Sequence, residues 1–101
     1  MIEMKKPLFQ MGRLLSTPAA LEALERAGQS VWEFFSLHSK GQWGDELCQE
    51  DKDLNDAALV DGSRLLSCYR TKLNDRIYVI TEAEDDEGQR VATTALLSSE
   101  Y

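Results

Sequence analysis

The sequence predicts an α+β fold in two layers, about three helices packed on one face of a three- to four-stranded antiparallel sheet, in the order β-α-α-α-β-β-β. Helix start and stop residues crowd the stretch from Thr17 to Gly62. After Gly62 the pattern changes to short runs rich in β-branched and aromatic residues, separated by turn residues. Length is the third observation: a chain of 101 residues buries on the order of 65% of its unfolded surface in one core and would starve a second. Residues 1–101 are therefore expected to form a single domain.

The elements follow in order. Gln10 to Ser16, QMGRLLS, reads as a short strand that adds to an edge of the sheet, with the choice of edge left open. Thr17 is a good N-cap, Pro18 suits the first helical position, Glu22 and Arg26 form an i,i+4 pair, and Gly28 stands where a terminating glycine belongs. The first helix is thus expected from Pro18 to Ala27. Ser30 with Glu33 has capping-box spacing and opens a second helix that runs to about Ser39 and stops at Gly41. A third begins between Asp45 and Gln49 and ends before Gly62, with Leu47, Leu54 and Ala58 on its inner face. Three strands then follow, RLLSCYRT, RIYVITEA and RVATTALL, with a turn near Asn74 and Asp75 and an acidic loop from Glu84 to Gln89. Ile77, Tyr78, Val79 and Ile80 are apolar on both faces, which marks a central strand. Short connections make these three an antiparallel meander, with Leu21, Leu24, Phe34, Phe35, Leu54, Ile77, Val79 and Leu96 as the expected core.

No run approaches the ~20 apolar residues of a membrane span, and Pro7, Gln10, Gly12 and Arg13 break up the start of the chain before it reaches signal-peptide length. The expectation is a cytoplasmic protein with no membrane partner. Cys48 and Cys68 lack CxxC spacing and are expected to be free thiols in a reducing compartment. A net charge of −7 opposes binding to nucleic acid through a general positive field.

Residue types that chemistry uses crowd the stretch HSKGQWGDELCQED, His38 to Asp51, which holds the single histidine, a tryptophan and a cysteine. His38 ends the apolar stripe of the second helix and is expected at the rim of the core, hydrogen-bonded rather than catalytic. One histidine and two distant cysteines do not supply a zinc site. Cys48 could take His38 as a base, but Glu46, Glu50 and Asp51 oppose thiolate formation around it. No catalytic residue, metal or cofactor is expected. Trp43, between glycines, either plugs the gap between the second and third helices or meets a partner. The loop acids Glu82, Glu84, Asp85, Asp86 and Glu87 lack the EF-hand alternation and any acid-spacer-lysine pattern, so they read as a solvated hairpin tip.

Charge is unevenly spread. Seven acids between Asp45 and Asp61 face Lys52 alone, whereas Arg64, Arg70, Lys72 and Arg76 face Asp75 alone. The acidic stretch is either a solvated helix face or an interaction surface for a basic protein, with Trp43, Asp45, Glu46, Glu50, Asp53 and Asp56 as its candidate residues.

The segments PLFQMGRLLSTPAALEAL, GQWGDELCQEDKDLNDAAL and RIYVITEAEDDEGQRVATTALLSSEY together resemble a group of small bacterial proteins carried on plasmids and other mobile elements, the plasmid-related proteins. Against that group's ending, the turn here is lengthened by the acidic insert and Ser99 replaces a proline. The group has no established reaction, so the resemblance carries over no catalytic residue. It implies a bacterial cytosolic accessory protein and marks Gly44, Asp45 and Asn55 as pattern residues. A protein-binding role follows as the expected function, with an inhibitor or immunity-like version in which the acids block a basic site. The element order is also similar to that of the RelE-type ribosome-dependent ribonucleases, which implies an alternative RNA-binding set of Arg64, Arg70, Arg76 and Tyr101.

Overall fold

The structure is a computed structural model and describes residues 7–101. Its elements are β1 (Arg13–Ser16), α1 (Pro18–Arg26), α2 (Val31–Ser39), α3 (Gln49–Asp61), β2 (Leu65–Arg70), β3 (Arg76–Thr81) and β4 (Ala92–Leu97), closed by a 3-10 turn at Ser98–Glu100. The expected order β-α-α-α-β-β-β is present.

Local chemistry explains the helix ends. The Thr17 hydroxyl accepts from the Ala20 N–H at 3.1 Å, and that of Ser30 accepts from the Trp32 N–H at 3.2 Å. Glu33 does not complete a box with Ser30; it accepts from the Gln29 amide one turn earlier. Gly62 ends α3 in the left-handed region, φ 82°, where its N–H reaches the Ala58 carbonyl.

The four strands form one sheet in the order β1-β4-β3-β2. β2, β3 and β4 are the expected antiparallel meander, with β3 inside it. The sheet as a whole is mixed rather than purely antiparallel, because β1 runs parallel to β4, Leu14 beside Thr93 and Ser16 beside Ala95. Only a tight hairpin forces neighbours to be antiparallel; β1 and β4 are separated by every other element of the chain. The strand begins at Arg13, not Gln10, since Gly12 turns at φ 66° against the Arg90 and Val91 backbone.

One sheet face carries Leu65, Ser67, Tyr69, Ile77, Val79, Thr81, Thr93 and Ala95, all buried. α1 and α2 cover it through Ala20, Leu24, Phe34 and Phe35. α3 completes the helical layer at the β2 edge, where Ala58 joins Trp43, Leu47, Leu65 and Cys68 in a second cluster. Two expected core residues are exposed, Leu21 by 47% and Leu54 by 62%. On α3 the buried position next to Leu54 is taken by Asn55, because the edge it faces is a row of backbone amides and not an apolar surface. The Asn55 side chain donates to the Leu66 carbonyl at 2.6 Å and accepts from the Leu66 N–H at 3.0 Å. One residue pair along, the Cys68 N–H donates to the Trp43 carbonyl at 3.0 Å. The β2 edge is thereby closed to any further strand. Leu66, Tyr78, Ile80, Thr94 and Leu96 are half-buried on the opposite face of the sheet, with Tyr101 standing edge-on to Tyr78.

Candidate functional site

The acidic flank is built by α3 and the turn before it. Asp45, Glu46, Glu50, Asp51, Asp53, Asp56 and Asp61 are all exposed, since α3 spends its buried positions on Asn55 and Ala58 alone. Acids in the first turn, Glu50 and Asp51, also favour the positive end of the helix dipole. Several acids have internal uses. Asp53 accepts from the Gln49 amide, Asp56 from the Trp43 indole at 3.1 Å, and Asp61 from the Ser63 N–H at 2.8 Å. None of these is an ion pair: among the described residues, no acid of α3 meets a lysine or arginine in a salt bridge. A cleft of about 690 Å³ opens beside the flank, lined by Glu33, Asp45, Glu46, Lys52, Tyr69 and Arg70 among others.

Trp43 does not belong to this surface. It is 4% exposed and packs against Phe9 and His38, with its N–H held by Asp56. The ring fills the gap beside α2 and α3, and the flanking Gly44 lets its backbone reach the β2 edge. Glu46 stands apart from the other acids too. It bridges Arg70 and Arg76, and the hydrogen bond from Arg70 holds its carboxyl below the usual range.

That bridge also divides the alternative RNA-binding set. Arg70 and Arg76 lie together at one end of the β2–β3 ladder, clamped by Glu46. Arg64 precedes the other end of β2, where it donates to the Tyr101 hydroxyl and lies 5.6 Å from the ring centre.

His38 is fully buried with both ring nitrogens occupied, Nδ1 2.5 Å from Ser67 Oγ and Nε2 2.8 Å from Thr81 Oγ1. Thr81 Oγ1 lies 2.7 Å from Thr93 Oγ1, which donates to the Met11 carbonyl. The direction of the chain can be deduced from that carbonyl, which only accepts. Thr93 spends its proton there, so Thr81 must donate to Thr93, and His38 Nε2–H to Thr81. Nδ1 is then the bare nitrogen and accepts from Ser67. A second ring proton would have no acceptor unless Ser67 turned round. Burial and the nearby Arg90 charge accordingly push His38 down to about 3. The structure therefore bears out a hydrogen-bonded histidine, though fully buried rather than at the rim of the core, and removes His38 as a base for Cys48, which is exposed.

Because the native pKa lies below the ordinary 6.5, the unfolded chain binds the extra proton first. Stability is full above pH 6.5 and falls with falling pH toward 3, by about 1.4 kcal/mol per unit. With a single histidine in the chain, the interval from pH 6.5 to 5 isolates this group from the carboxylates. Urea unfolding should show that slope, and His38→Gln should flatten it; an unchanged slope in the variant would show that another group titrates.

Cys68 is buried, which raises its pKa, and both cysteines are free. Among the described residues, no three His, Cys, Asp or Glu side chains gather as a metal-binding group, and no helix is long and apolar enough to cross a membrane. The hairpin tip is exposed as expected, although its base is tied down: the Glu84 N–H donates to the Gly62 carbonyl, and Gln89 accepts from Gln10. Sequence reasoning missed the most connected polar residue, Arg90, which is 3% exposed and donates to the carbonyls of Ala58, Ser63 and Glu82. Its place at the head of a predicted strand, after an acidic loop, gave no sign of burial. Compared with protein-family models, curated proteins and solved structures, the chain matches none.

Proposed function

We propose that this chain is a non-enzymatic binding module that engages a basic protein through the acidic flank of α3. The observation that carries the reading is the set of exposed acids on α3 with no cation paired to them in the described residues. Unneutralised charge on one side of a small protein steers encounter with an oppositely charged partner. Asp45, Glu50, Asp51 and Asp53 are the contact residues of this reading, with Asp56 shared between the surface and Trp43. The resemblance to the plasmid-related proteins supports an accessory role in a bacterial mobile element, acting in the cytoplasm as an inhibitor or immunity-like protein. The RelE-like ribonuclease reading has the Arg64–Tyr101 pair in its favour, but an RNA phosphate would have to displace Glu46 to reach Arg70 and Arg76.

The two readings separate under mutation. Glu50→Lys with Asp53→Lys should abolish capture of a basic partner while preserving the fold, and association of the captured partner with the unaltered protein should slow as salt brings the Debye length to ~10 Å. Under the ribonuclease reading those changes are neutral, and Arg64→Ala or Arg76→Ala removes cleavage of ribosome-bound messenger RNA. A partner held equally by the lysine variant at low and high salt sinks the acidic-surface reading.

A further inference from the structure

The two edges of the sheet are treated differently. At β2 the outward amides and carbonyls are taken by Asn55 and Trp43. At β1 nothing comparable is present among the described residues. The Arg13 N–H donates to the Val91 carbonyl and the Thr17 N–H to the Ala95 carbonyl. Odd-numbered residues of this parallel strand thus address β4, and the backbone groups of Leu14 and Ser16 turn outward. Among the described residues, none supplies them with a hydrogen-bond partner. Leu14 and Leu15, on opposite faces of the strand, are exposed by 38% and 41%. An open edge with large apolar side chains on both faces is a template for another strand.

We infer that β1 pairs with β1 of a second copy of this chain, antiparallel about a two-fold axis, so that the two four-stranded sheets become one. Face parity restricts the register. A two-fold axis normal to the sheet keeps the helical face of one copy level with that of the other, so even-numbered residues oppose even-numbered ones. Centring the pair on Leu15 places Leu14 of one copy opposite Ser16 of the other. Both such pairs have outward groups and exchange N–H···O bonds, and Leu15 meets its own copy between them, where side chains lie closest.

This register brings complementary charge together. Arg13 comes opposite Thr17 of the second copy, whose hydroxyl is held by Glu100 at 2.7 Å. The Thr17 hydroxyl and the Leu97 N–H both donate to Oε1 of Glu100, and among the described residues Oε2 receives no bond. Arg13 is itself in no salt bridge with a described residue. Within the described residues, each copy thus has a cation without an ion-pair partner at one end of β1 and a carboxylate oxygen without a donor at the other, and the two-fold axis joins them twice. The net charge of −7 does not oppose this contact strongly. α3 packs at β2, on the far side of β4 and β3 from the seam, about 14 Å away at the usual strand spacing and beyond the ~10 Å screening length at 0.1 M salt.

The dimer stands independently of the acidic-flank reading and would place one acidic flank at each end of the joined sheet. Its test is the solution mass of the full chain, read by light scattering and sedimentation from micromolar to millimolar concentration. The mass should rise from 11.4 kDa toward twice that value. Leu14→Pro removes an outward N–H that has no partner within the described residues, and should weaken dimerisation at least tenfold while leaving the helical circular dichroism unchanged. Arg13→Glu and Glu100→Lys should each be monomeric alone and should dimerise when mixed, because the mixture restores both ion pairs. A mass that stays at 11.4 kDa throughout overturns the inference. So does a dimer that a folded Leu14→Pro variant leaves intact, or a failure of the two folded charge variants to associate.

Discussion

Arg90→Met is expected to lower stability by about 3 kcal/mol, because a charged donor serving three carbonyls is removed from the interior. Arg90 Nη1 donates to Ser63 O at 2.7 Å and to Glu82 O at 3.0 Å, and Nη2 donates to Ala58 O at 3.0 Å. Those carbonyls belong to the last turn of α3, the link to β2, and the residue just past β3. One guanidinium therefore ties together three pieces of chain that no strand pairing joins. It is paired with no carboxylate among the described residues. Its charge is compensated by carbonyl oxygens at the negative end of the α3 dipole and by the Phe9 ring, 5.9 Å from the guanidinium carbon. Methionine matches the stem and leaves the oxygens unserved. Lysine keeps the charge but not the fork, and should recover only part of the loss. For a domain of this length the melting temperature should fall by roughly 12–24 °C, read by circular dichroism. A fall of only a few degrees would mean that the carbonyls are satisfied without Arg90.

Gly44→Ala is expected to be comparably damaging, at about 3 kcal/mol, for a backbone reason. Gly44 sits at φ 96°, where a Cβ is disfavoured by ~1–2 kcal/mol, and a Cβ there would lie 1.9 Å from the Cys68 carbonyl oxygen. Neither backbone can yield without opening the bond between the Trp43 carbonyl and the Cys68 N–H that closes the β2 edge. Trp43 would be drawn from its site against Phe9 and His38, so its fluorescence should move toward that of a solvated indole. Ala at Gly88, φ 74° with nothing within 4 Å, is the control for left-handed strain alone. If the two alanine variants melt together, the close approach at Cys68 is not what requires glycine at position 44.

Asn55 and Gly44 both serve to seal the β2 edge, whereas Asp45 is exposed in the acidic flank. The candidate site was legible only in part. The acids of α3 were readable as a cluster, and their exposure follows from a helix with few apolar residues. That Trp43 plugs the gap beside the second and third helices was one of the two readings open from the sequence, and its burial bears it out. That Glu46 turns to Arg70 and Arg76 was not readable, since it depends on contacts across 24 and 30 residues of chain.

What the sequence determined by itself is what short-range physics controls. Thr17, Pro18, Ser30 and Gly62 set helix ends through hydrogen bonds and φ preferences within a turn of themselves, and β-branched and aromatic runs joined by short turns in the last third set three strands and their meander. Tertiary structure alone decided the parallel seat of β1 beside β4, the burial of Arg90 and of the His38 chain, and the exchange of Leu54 for Asn55 on the inner side of α3. The physical reason is common to all of them. Burial of a polar group is favourable only where distant backbone or hydroxyl partners satisfy it, and those partners, Leu66 for Asn55, Ser67 and Thr81 for His38, Ala58 and Ser63 for Arg90, are brought within reach only when the sheet closes.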